Sequence, residues 1–198
     1  MTTPSFDRMM DDARISLPGA LDDVIKQQLF AVVDEFCRAT LAWKEEIEFD
    51  LEQDETDYEL LSEEGGAIAS LISLVDSNDI QIKATMPVPG TLKLDTAPVA
   101  DKADCTATVV LTVAYGTTND DARFPDWLIQ QYFDTILAGV LSRMMAQPAK
   151  PYFNERLAIF NGRRWRNSLA TVRANIGRSN VHGGQAWTFP QNFAPCRR

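Results

Sequence analysis

Two hydrophobic periods alternate along this chain, and the points where one replaces the other outline its organisation. After the turn Leu17-Pro18-Gly19, residues Ile25, Leu29, Val32, Phe36, Thr40 and Trp43 recur at steps of three or four. Asp22 and Asp23 fall in the first turn, where carboxylates face the positive helix end, so the spacing predicts a helix from Asp22 to about Trp43 or Lys44. A shorter helix is expected at Asp7–Arg14. The period drops to two in Glu46-Ile47-Glu48-Phe49-Asp50-Leu51, as in a half-buried strand. Asp54-Glu55-Thr56-Asp57 reads as a turn that lets Tyr58-Glu59-Leu60 pair back as a hairpin arm. The apolar run Ala67–Val75 fits a buried strand or a short helix, and its flanking turn residues and short length favour the strand. Ile80–Ala84, Thr91–Leu94 and the Thr- and Val-rich Cys105–Tyr115 complete the β region, with Pro87, Pro89 and Gly90 in a loop.

Helical spacing returns at Phe124-Pro125-Asp126-Trp127. Pro125 suits a first turn, and Trp127, Leu128, Ile136, Leu137, Val140, Leu141, Met144 and Met145 build a broad apolar face. Gly139 within it forgoes up to about 1 kcal/mol relative to alanine, so a neighbouring helix is expected to cross closely there. Pro148 and Pro151 stop that helix, because proline lacks an amide donor and blocks the preceding turn. Asn154 then caps another, with Glu155 in its first turn. Leu157, Phe160, Trp165, Leu169, Val172 and Ile176 form its apolar stripe, and Arg163, Arg166 and Arg173, with Arg164 beside them, lie on a different face. Residues from Asn180 onward read as extended, yet Trp187, Phe189 and Phe193 fall within it, and a disordered tail should be poor in aromatics. Such an arm buries its aromatics against a partner or against its own domain.

The fold class expected is therefore α+β: a bundle of long helices with an inserted antiparallel β region and an extended C-terminal arm. Its parts are an N-terminal helical part (1–45), the β insertion (46–121), the C-terminal helical part of the same core (122–179) and the arm (180–198).

Charge changes the picture more than composition does. The net charge is −9, but residues 1–80 hold 20 acids and 5 bases, −15, while residues 122–198 hold 3 acids and 11 bases, +8. Residues 81–121 contribute −2, from 5 acids and 3 bases. Opposite signs at the two ends suit head-to-tail association of like subunits, a directed contact with an anionic polymer, or internal pairing of the halves. No apolar run reaches the roughly 18–20 residues of a membrane span. The first residues carry no apolar core of signal-peptide length, so a cytoplasmic origin is expected.

Reactive constellations are sparse. Cys37, Cys105 and Cys196 are far apart and odd in number, which suits neither a disulfide framework nor a zinc site. His182 is the single histidine, so it has no partner for a triad or a multi-histidine metal centre. A calcium loop begun at Asp50 would place Glu55 at its sixth position and Leu61 at its twelfth, where glycine and glutamate are required. Glycine-rich phosphate loops and nucleophile elbows are not found. The sequence predicts no catalytic residues, no metal and no cofactor, and the expectation is that the chain is not an enzyme.

Several segments, taken in order, carry a resemblance. They are Leu17-Pro18-Gly19-Ala20, Asp34-Glu35-Phe36-Cys37-Arg38-Ala39-Thr40 with Trp43, Tyr58-Glu59-Leu60, and Phe124-Pro125-Asp126-Trp127-Leu128. Gln147-Pro148-Ala149-Lys150-Pro151-Tyr152, Asn154-Glu155-Arg156-Leu157-Ala158 and Ala186-Trp187-Thr188-Phe189-Pro190 follow. The set resembles the head–tail connector, or adaptor, proteins of tailed bacteriophages, of the tail tubular A type. The resemblance implies a virion structural protein made in the host cytoplasm and placed at the neck. It implies a homo-oligomeric ring, typically of twelve subunits, between the portal and the tail or nozzle protein, continuing the DNA channel without sequence readout or membrane contact. The terminal segment, with Trp187, Phe189 and Phe193, is then the expected portal-binding element. Arg163, Arg164, Arg166 and Arg173 either edge the channel or dock on the portal. The competing expectation is a small DNA-binding or accessory interaction protein that uses the arginine helix directly. The net negative charge and the lack of helix-turn-helix spacing weigh against groove recognition.

Overall fold

The computed structural model describes residues 4–115 and 124–179. Within them the chain is α+β, with four helices and two small antiparallel sheets. The order is α1 (Pro4–Ser16), α2 (Asp22–Thr40), β1 (Lys44–Leu51), β2 (Asp57–Glu59), β3 (Ala67–Val75), β4 (Ala84–Val88), β5 (Thr91–Leu94), β6 (Lys102–Thr112), α3 (Asp126–Met145) and α4 (Glu155–Ser179).

The expected helices all form, but α2 stops three residues short of Trp43. Leu41 turns left-handed at φ 59°, and its amide closes on the Cys37 carbonyl, which satisfies one of the last helical acceptors. That stop frees Trp43 to turn inward, where it is 1 % exposed and lies over Gly66. A Cβ on Gly66 would sit 2.6 Å from Trp43 Cη2, so the tight approach requires glycine there. The indole Nε1 donates to Glu64 Oε2 at 2.5 Å.

The larger sheet runs β1-β6-β3 with every pair antiparallel. Its register places Ile47, Ala107 and Leu74 in one row, and Glu46, Thr108 and Ser73 in the adjacent row on the opposite face. The alternation anticipated in β1 is thus a real inside–outside division. The smaller sheet runs β2-β5-β4. Here the expected hairpin is overturned: Tyr58 pairs with Leu92 of β5, not with the strand before it. A three-residue strand carries too little pattern to choose its partner. Ile80–Ala84 is not a strand either; Gln81 makes a single bridge to Val75, and β4 begins at Ala84. Pro87 lies inside β4 instead of in a loop. It is tolerated because β4 is an edge whose register shifts between Thr85 and Val88. β6 starts earlier than expected and ends at Thr112.

Helix α2 joins the two parts. It packs against α3 and α4, and it also packs against β6, while the other helices make no comparable contact with the strands. Val32 and Phe36 face the helices, Phe36 lying 4.8 Å from the Tyr132 ring and 6.1 Å from Trp165. From another side of α2, Asp34 Oδ1 accepts the Thr112 hydroxyl at 2.5 Å. Gly139 is the crossing point foreseen from the sequence: a Cβ there would lie 2.7 Å from Val32 Cγ1 and 2.9 Å from Trp165 Cε3. A cluster of Phe6, Phe30 and Phe124, with centroids 5.9–6.3 Å apart, ties α1 and α2 to the entry of α3. Such rings add about 0.5–1.5 kcal/mol per pair beyond the area they bury. Arg143 of α3 pairs with Glu35 of α2. Among the described residues no helix is long and apolar enough to cross a membrane.

Candidate interaction surface

Helix α4 begins as the sequence predicts, with Asn154 Oδ1 accepting the Leu157 amide at 3.1 Å. Its buried side is narrower than the expected stripe. Ala158, Asn161 and Trp165 are buried, and Leu169, Val172 and Ile176 are half-buried. Leu157 and Phe160, expected in the same stripe, are instead 44 % and 62 % exposed. At about 100° per residue, Phe160 lies some 140° around the helix from Trp165, too far to reach the same neighbours. Phe153 and Ile159 are also exposed, at 46 % and 50 %.

Around α4, Arg163, Arg166 and Arg173 fall within about 80° of one another, and Arg164 lies about 100° to the other side of Arg163. All four candidates are exposed, but they straddle the outer surface of α4. Arg164 leans toward α3, with its Nη2 3.7 Å from Asp134 Oδ1. Arg173 leans the other way, its Nη1 donating to the Ala39 carbonyl of α2 at 3.0 Å. Arg166 donates within the helix to Gly162 O at 3.3 Å. Arg163 is exposed, at a helical position between these two. Six arginines and one glutamate give α4 a charge of +5, and Arg164–Asp134 is its only ion pair among the described residues. Phe160 stands among these cations, with Arg156 one turn before it and Arg163 and Arg164 one turn after.

The acidic counterpart is in the β region, which packs on α2 through β6. Between Lys44 and Glu64 the chain carries 11 acids and one base, −10. Glu46 and Glu48 project from the solvent face of β1. Where β1 starts, Glu45 Oε1 accepts the amides of Glu63 and Glu64 at 2.8 and 3.0 Å, folding the loop before β3 back over the sheet. Lys44, Glu45, Glu46, Glu63, Glu64, Ile72, Ser73 and Thr108 line an open cleft of about 820 Å³ there. Ile72 is 39 % exposed on its wall. Among the described residues no group of three or more His, Cys, Asp or Glu is placed to hold a metal ion.

Neither described cysteine is set up as a nucleophile. Burial, with the Asp34 charge adding to it, pushes the Cys37 thiol up to about 12, and burial also raises Cys105. Trp187, Phe189 and Phe193, like His182 and Cys196, lie outside the described residues. Sequence reasoning missed the exposed aromatic on α4 and the acidic cleft. The interleaving of Arg156, Leu157, Phe160, Arg163 and Arg164 was a signal for the first; the cleft depends on a loop folding onto a strand 18 residues away, which no local pattern encodes.

No protein-family model matches the chain, and no curated protein matches it.

Proposed function

We propose that this chain is a virion structural protein: a head-to-tail adaptor that forms a ring between the portal and the tail and continues the DNA channel. The observation that carries the reading is the separation of charge. A helix of +5 and a β region whose first 21 residues hold −10 sit on parts of the subunit joined through α2, and they neutralise little of each other. A subunit polarised in this way favours heterologous contacts, which close into a ring when the rotation between copies allows. The resemblance to connector proteins supplies the ring's setting, with twelve copies as its typical count and no catalytic role.

In this reading the long helices act as one bundle at the ring, and residues 180–198 are the arm that reaches the portal through Trp187, Phe189 and Phe193. The outward arginines of α4, Arg163 foremost, meet phosphates or the portal without sequence readout.

The test is electron microscopy of particles assembled with and without the protein. Loss of the protein should leave filled heads without tails, and restoring it should add a symmetric ring at the portal vertex. Normal tailed particles in its absence would overturn the reading. The competing DNA-binding reading draws on the same exposed arginines. Filter retention of duplex DNA by the isolated protein that persists at high salt would favour it over a passive conduit.

A further inference from the structure

We infer that copies of this chain join head to tail by seating the Phe160 knob of α4 in the acidic cleft beside β1 of the next copy. The two surfaces match in chemistry. The knob is an aromatic side chain 62 % exposed, backed by Leu157 and surrounded by Arg156, Arg163 and Arg164. Buried aromatics flanked by arginine are the side chains that anchor protein interfaces. The cleft presents four glutamates and one lysine around a partly exposed isoleucine, in an opening of about 820 Å³. An apolar centre ringed by cations thus meets an apolar patch ringed by carboxylates. Within one subunit α4 makes no substantial contact with the strands, and each packs against α2 instead. The partner that supplies the complementary surface is therefore another copy, and the contact is heterologous, with knob and cleft on different faces. Electrostatic complementarity of this kind sets register and speeds encounter, and it weakens with salt.

This contact deepens the ring reading and names where neighbouring subunits touch. Two variants test it. One loses the knob, Leu157→Ser with Phe160→Glu. The other loses the cleft, Glu46→Lys with Glu63→Lys; Glu45 and Glu64 are left intact because they hold the loop and Trp43. All four sites are at least 44 % exposed or at solvent-facing positions, so circular dichroism and thermal melts should match wild type.

Sedimentation is then measured for wild type, for each variant and for their equimolar mixture, at low and high salt and up to about 1 mM. Wild type should assemble in a salt-sensitive way. Each variant alone should stay monomeric, and the mixture should stop at a dimer, because one copy keeps a knob and the other a cleft. If wild type assembles and either variant assembles equally well, this contact is wrong and the ring reading survives. If wild type stays monomeric throughout, both this contact and unaided self-assembly fall.

Discussion

Replacing Gly139 by alanine tests the packing at a point where α2, α3 and α4 meet closely. Helix propensity alone favours alanine by about 1 kcal/mol. Opposing it, the new methyl would lie 2.7 Å from Val32 Cγ1 and 2.9 Å from Trp165 Cε3, and both neighbours are themselves buried. Forcing a methyl into a filled core costs about 1–3 kcal/mol. The balance for Gly139→Ala is a loss of up to about 2 kcal/mol, which for a chain of this size is a fall in Tm of up to about 8 °C. Gly177, at the exposed end of α4, is the internal control, since nothing lies within 4 Å of its virtual Cβ. There the same change should stabilise, by a fraction of the 1 kcal/mol propensity term because the helix frays. Urea melts of both variants, read as a shift in midpoint at constant slope, measure the difference. Adding Val32→Ala to Gly139→Ala should recover about 0.5–1 kcal/mol as coupling between the two sites. If Gly139→Ala is as stable as Gly177→Ala, the helices do not cross where they are placed.

Other expectations concern charge and reactivity. Arg163→Glu with Arg166→Glu should leave monomer stability within about 0.5 kcal/mol, as for most exposed positions, while impairing assembly or attachment to heads; an unfolded variant would assign these residues to the core. Asp76 is held below the ordinary aspartate range chiefly by the Ile80 amide, then by the Asn78 amide and Lys102. Its contribution is therefore complete above the unfolded value of about 3.9 and is lost as pH falls through the lower folded value. The stability gap between wild type and Asp76→Asn should accordingly be constant from about pH 5 to 7 and narrow below about pH 4; a gap unchanged down to pH 3 would remove the carboxylate from the account. Cys37, fully buried and with its thiol pushed up to about 12, should resist alkylation in native protein at pH 8 and react only on unfolding. Mass spectrometry showing modification of Cys37 within minutes would contradict its placement.

Periodicity carried most of the elements because it reports burial directly. The alternation of β1 and the three-four spacing of α2 each identify a face, and the structure buries that face. Gly139 was legible for the same reason: a residue that weakens a helix is retained where space forbids a side chain. What periodicity does not report is the partner. Tyr58 alternates as a strand residue should, but its register with Leu92 is set by chain closure over 34 residues. Leu157 and Phe160 recur at helical spacing, yet α3 and α2 cover only a narrow strip of α4. The stripe was real, and its covering was not complete. The two charged surfaces were visible as totals along the chain; their placement on separate elements packed against α2 required the fold.

The insertion of the strands between α2 and α3 also governs timing. Phe6 can stack on Phe30 of α2 early, but Ser5 donates to Asp126 and Phe6 also lies against Phe124, so the first helix meets α3 only after about 120 further residues have been made. At about 5–20 residues per second on the ribosome, that wait is on the order of 6–24 s. Meanwhile the sides of α1 and α2 that α3 buries in the finished fold remain without that cover. Faster elongation shortens that interval, so chain growth rate sets how long the α3-facing side stays exposed to other chains.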